Sequence, residues 1–88
     1  MKPIRRHKNF SKSFRSRVSN SPKLVKQFEQ RLQMFVVGER GHPLNDHALI
    51  GTMKGLRAFS VAADLRVVYR ETESHFEFLD IGSHNQVY

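Results

Sequence analysis

This sequence predicts an α+β fold: an N-terminal helical hairpin packed on a small, mostly antiparallel β-sheet. Three observations carry that expectation. Apolar residues recur at steps of three and four up to Val36, then change to strand-like runs beyond Gly55. The helical part precedes the strand part instead of interleaving with it, the order typical of α+β architecture. A chain of 88 residues has room for one core between one helical layer and one sheet, so residues 1–88 are expected to form a single domain.

The elements follow in order. Residues 3–7 can form a short first strand. Phe10, Phe14 and Val18 then fall at steps of four, a helical stripe. The second helix has a start signal: Ser21 as N-cap, with Pro22 at the first helical position, where its missing N–H leaves no bond unmade. Leu24, Phe28, Leu32, Phe35 and Val36 continue it on one face, and Gly38 or Gly41 should end it. Such an aromatic stripe reads as core packing. Leu56–Val61, Leu65–Arg70 and Phe76–Ile81 are rich in β-branched and aromatic residues. The breaks at 62–64 and 71–74 have hairpin length, so the three strands should pair as an antiparallel meander with one face covered by the helices. Alternation sets Arg57, Phe59 and Val61 on one face and Leu56, Ala58 and Ser60 on the other, without saying which face meets the helices.

Composition narrows the function. The net charge of +7 is unevenly distributed: residues 1–44 hold eleven Lys/Arg against two acids, and residues 45–88 hold four against six. Lys2, Arg5, Arg6, Lys8, Lys12, Arg15 and Arg17 lie within the first seventeen residues with no acid among them. Basic density of this kind fits a polyanion partner, nucleic acid being the commonest. With no cysteine, neither a disulfide nor a thiolate metal site is expected. No run approaches the ~20 apolar residues of a membrane span, and the basic start lacks the apolar core of a secretory signal. A cytoplasmic protein is expected. His7, His42 and His75 show no ligand spacing, so no metal or other cofactor is expected either.

The segment from Asp46 to Tyr88 is the most specific part. His47 opens it, and the tail Gly82-Ser83-His84-Asn85-Gln86-Val87-Tyr88 closes it with an imidazole and a phenol. Between them come Gly51-Thr52-Met53-Lys54-Gly55-Leu56-Arg57 and Ala63-Asp64-Leu65-Arg66-Val67-Val68-Tyr69. In the order and spacing of these motifs, and across essentially its whole length, the chain resembles the RelE/ParE superfamily of bacterial type II toxins. The YafQ branch of ribosome-dependent mRNA interferases is the nearest. The resemblance implies a fold like that of small microbial RNases and cleavage of mRNA on the ribosome by attack of the 2′-hydroxyl on the adjacent phosphate. It implies mRNA and the ribosome as partners and a cognate antitoxin, with which the chain would form a hetero-oligomer.

Carried over residue by residue, the YafQ-type site implies catalytic roles for His47, Asp64, His84 and Tyr88. Lys54, Arg57 and Arg66 are the cations expected at the phosphate, where arginine's fixed fork suits the developing charge. Two positions depart from the pattern. A second strand histidine falls on Ser60, whose hydroxyl exchanges no proton near neutral pH, and the tryptophan after the aspartate falls on Leu65. Other roles stand beside these: Asp64 suits a tight turn, His47 a loop closure, and Arg57 and Arg66 could pair with Glu77 or Asp80 across strands. Two other functions remain open at this level, a ParE-like inhibitor of DNA gyrase and a relative that binds RNA or antitoxin without cutting.

Overall fold

The computed structural model describes residues 2–88. In chain order these form β1 (Ile4–Arg6), α1 (Lys8–Arg17), α2 (Pro22–Val36), β2 (His47–Ala48), a 3-10 turn (Gly51–Met53), β3 (Arg57–Ser60), β4 (Arg66–Glu71), β5 (Phe76–Gly82) and α3 (His84–Val87). The helices begin and end where local chemistry dictates. The His7 ring caps α1 by accepting the Asn9 N–H at 3.0 Å. Ser21 Oγ accepts the Leu24 N–H at 3.2 Å ahead of Pro22. At the far end of α2 the Glu39 N–H reaches Met34 O at 3.0 Å and the Gly38 N–H reaches Phe35 O at 3.1 Å. That Schellman closure requires the left-handed backbone of Gly38, at φ +96°.

The sheet order is β1-β5-β4-β3-β2, with β1 parallel to β5 and every other pair antiparallel. The expected three-stranded meander is the centre of this sheet, extended at each edge by a strand of two or three residues. Arg57 stands opposite Tyr69, Ala58 opposite Val68, Phe59 opposite Val67 and Ser60 opposite Arg66. The face that alternation left open is now assigned. Phe59, Val61, Val67, Tyr69 and Phe78 point to the helices and join Phe10, Phe28 and Phe35 in the main core. Phe35 is its hub, with the rings of Phe59, Tyr69 and Phe76 at 4.9, 5.0 and 4.9 Å. Close aromatic pairs of this geometry add about 0.5–1.5 kcal/mol each beyond their buried area.

The opposite face is not bare, which departs from the expectation of one covered face. Ala58 and Val68 are buried there beneath Val87 of α3, with Leu49, Met53 and Leu56 packed beside them. The tail therefore folds back over the sheet. Gly82 permits it: a Cβ built there would lie 2.7 Å from Arg17 Nη1 and 2.8 Å from Gln86 Oε1. Arg17 in turn donates to Ile81 O at 2.9 Å, and the Ser83 N–H donates to Gln86 Oε1 at 2.8 Å. No helix among the described residues is long and apolar enough to cross a membrane.

Candidate active site

His47 lies on edge strand β2, opposite Ala58. Its Nδ1 is 3.0 Å from Asn45 O. A carbonyl oxygen only accepts, so Nδ1 carries a proton, and in the neutral ring Nε2 has the lone pair. Asn45 itself takes a left-handed φ of 49°, which aims that carbonyl. The next residue anchors the loop. The Asp46 carboxylate is 0% exposed and receives Arg57 Nε at 2.7 Å and Arg57 Nη2 at 2.6 Å. The Tyr69 hydroxyl also donates to it, and Arg40 Nε stands 4.0 Å away. Arg57, Tyr69 and Arg40 thus converge on one buried carboxylate. The hydrogen bond that Arg57 donates to Asp46 raises its pKa above the usual arginine value, against burial. Burial, then the bond to Asp46, pushes the Tyr69 phenol well above the usual tyrosine value.

His84 opens α3, and the Tyr88 ring meets it edge-on with centroids 4.7 Å apart. His47, His84 and Tyr88 line one surface cavity of about 470 Å³, walled otherwise by Ala48, Leu49, Ile50, Thr52 and Met53. The chain thus brings together imidazoles thirty-seven positions apart in sequence. Ile50, 87% exposed, stands at this cavity as an aliphatic side chain open to water. Arg66 extends the group. Its guanidinium lies 5.4 Å from the Tyr88 ring centre, and its Nη2 is 3.3 Å from Asp64 Oδ1. Asp64 Oδ1 also faces the His84 backbone N–H at 3.4 Å. The turn aspartate therefore ties the arginine to the start of the histidine-bearing helix.

Two residues expected at the phosphate sit elsewhere. Arg57 projects from the helix-facing side of β3 and is taken up by Asp46. Lys54 is exposed on the loop after the 3-10 turn and lines neither this cavity nor the smaller one beside Ser60. The pairing with Glu77 or Asp80 does not form either: Glu77 pairs with Arg70, and Asp80 with Arg17 at 3.4 Å. Asp46 was missed as a scaffold residue, although the sequence held a signal. An arginine that alternates with Phe59 and Val61 on a core face needs a buried acid.

The comparisons with known proteins bear on this arrangement. A model of the family described as bacterial toxin of type II toxin–antitoxin system, YafQ, matches residues 2–88. The chain belongs to the YafQ family of toxins. Among solved structures, this YafQ-family toxin is similar to that of the E. coli DinJ–YafQ complex at 19% identity and a TM-score of 0.83, covering 100% of this chain and 99% of that one. It is similar to YafQ from E. coli strain BL21(DE3) at 19% identity and a TM-score of 0.80, with the same coverage. A metal-bound toxin from Helicobacter pylori is 26% identical with a TM-score of 0.81, and all of both chains is covered. No curated protein sequence matches the chain. In this YafQ-family toxin no three His, Cys, Asp or Glu among the described residues gather as a metal site requires.

Proposed function

We propose that this toxin is an endoribonuclease that cleaves mRNA on the ribosome in the cytoplasm, without a metal. The observation that carries the reading is the single cavity shared by His47, His84 and Tyr88, with Arg66 against the Tyr88 ring. In the proposed reaction the RNA 2′-oxygen attacks the adjacent phosphorus and the P–O5′ bond breaks. The products are a 2′,3′-cyclic phosphate and a free 5′-hydroxyl. One proton leaves the 2′-hydroxyl and one arrives at O5′, so a base and an acid are needed. His47, with Nε2 bare, takes the base role, and His84 delivers the proton. Arg66 offsets the charge that gathers on the phosphate. Asp64 orients Arg66 and the His84 backbone, and Tyr88 stacks on a base or holds His84. Lys54 contacts phosphate farther along the strand. Arg57 stands apart from this set, its Nε and Nη2 held by Asp46.

The partners follow from charge. Lys8, Lys12 and Arg15 line one groove of α1 together with Ser11, and among the described residues none of the three cations pairs with a carboxylate. That face suits ribosomal RNA. The DinJ–YafQ complex of a relative supports an antitoxin partner, whose acidic segment would cover the same charge. A His47→Ala, His84→Ala double variant should lose cleavage of translated mRNA while keeping its far-ultraviolet circular dichroism. Cleavage persisting unchanged in that variant would sink the assigned roles. Gyrase-dependent DNA breaks with intact mRNA would favour a ParE-like inhibitor instead.

A further inference from the structure

Next to the histidine cavity lies a smaller one of about 190 Å³, lined by Asn45, His47, Phe59, Ser60 and Arg66. Its four polar residues all bring hydrogen-bond donors, and no carboxylate side chain lines it. Ser60 and Arg66 face each other directly across the β3–β4 pair. The serine backbone is fully engaged: its N–H donates to Leu44 O at 2.7 Å, and its carbonyl accepts Arg31 Nη1 at 3.1 Å. The same Arg31 atom also holds Pro43 O at 3.1 Å, so the loop and the strand end are fixed to α2 together. The Ser60 hydroxyl, by contrast, has no hydrogen-bond partner among the described residues. Arg66 Nε also lacks a partner there, and unlike the hydroxyl it is buried. An unmet buried donor costs about 1–3 kcal/mol, and such a group is often found where a ligand completes it.

We propose that this cavity is an anion pocket that seats a non-bridging oxygen of the scissile phosphate, with Ser60 Oγ–H and Arg66 as its donors. The proposal rests on the nuclease reading above and makes Ser60 a catalytic residue of a different kind from the histidines. A hydroxyl need not exchange a proton to help here. It supplies a neutral donor to an oxygen that gains charge as the 2′-oxygen attacks, the task of an oxyanion hole. Arg66 lines the cavity, and Asp64 holds its Nη2 at 3.3 Å. A water molecule occupies ~30 Å³, so the volume of about 190 Å³ has room for the oxygens of one phosphate. His47 on the same wall then stands beside the phosphate whose 2′-hydroxyl it deprotonates.

The test uses the full chain, with RNA on ribosomes for activity and inorganic phosphate alone for binding. Ser60→Ala should lower kcat roughly 10²-fold, the scale of one lost oxyanion donor, with KM and the shape of the pH profile unchanged. Ser60→Thr, which restores the hydroxyl, should recover most of that loss. Inorganic phosphate should shift the side-chain Nε resonance of Arg66 in the wild type, and weakly or not at all in Ser60→Ala. An unchanged kcat in Ser60→Ala, or a pH profile that loses a limb, overturns the proposal. If the wild type cleaves no RNA while phosphate still moves Arg66 Nε, the anion pocket stands and the nuclease reading falls. If it cleaves RNA and phosphate leaves Arg66 unmoved, the pocket alone falls.

Discussion

At the scale of single residues, the same side-chain types serve opposite ends. Arg57 and Arg66 lie on neighbouring strands, yet one faces the core and the other the catalytic side. The difference is parity along the strand: Arg57 alternates with Phe59 and Val61, whereas Arg66 alternates with Val68 on the tail-covered face. Asp46 makes the first arrangement tolerable, and Tyr69 completes it. Because the folded state holds the Tyr69 proton more tightly than the unfolded chain, the phenol adds stability that is whole below the unfolded value of about 10. That stability is lost as pH rises beyond it. Urea unfolding of the wild type should therefore weaken more steeply above pH 10 than that of Tyr69→Phe, which has no phenol to ionise at this site. Parallel pH dependences would contradict the buried bond to Asp46.

At the scale of elements, α3 decides whether there is a site at all. It spans four residues, too few to be stable alone, and it is held by Val87 packing, the Gln86 bond to Ser83 and the close approach at Gly82. Gly82→Ala puts a methyl group where Arg17 and Gln86 already stand, so the tail must shift. We expect a loss of RNA cleavage of at least tenfold, with a melting temperature lowered by only a few degrees, since the main core lies on the other face. Thermal unfolding and cleavage assays on one preparation check this. A large loss of stability with activity per folded molecule intact would contradict it.

Much of this architecture was legible before any coordinates. Ser21-Pro22 marked the start of α2, Gly38 or Gly41 its end, and the change of apolar period at Gly55 marked the sheet. Edge strand β2 was not legible, because two residues paired through their backbone leave no side-chain pattern. Strand β1 could be placed along the chain, but not its parallel pairing with β5, a contact between the two ends of the chain that no turn residue announces. The covered second face was hidden for a related reason: Leu49, Met53 and Val87 are scattered apolar residues with no period. In the site, residue types pointed to His47, His84 and Tyr88. Spacing could not show that they share a cavity, nor that Asp46 binds the Arg57 guanidinium.

Over the whole molecule, charge and site are arranged on different parts of the surface. Acids of the second half are largely paired within the chain, Asp46 with Arg57, Asp80 with Arg17 and, at the surface, Glu77 with Arg70. The free cations of α1 remain to face a polyanion. Ribosome binding should accordingly weaken linearly in logarithmic salt, and neutralising Lys8, Lys12 and Arg15 together should reduce that slope by about two to three, read by sedimentation at graded potassium chloride. A slope unchanged by the triple variant would place the contact elsewhere. Metal-free RNA cleavage by the histidine cavity would be read in the chemistry of the cut ends. Translated mRNA treated with the wild type in the presence of a chelator should yield 2′,3′-cyclic phosphate and 5′-hydroxyl ends, absent with the His47→Ala, His84→Ala variant. Ends bearing a 5′-phosphate, or cleavage abolished by the chelator, would contradict it.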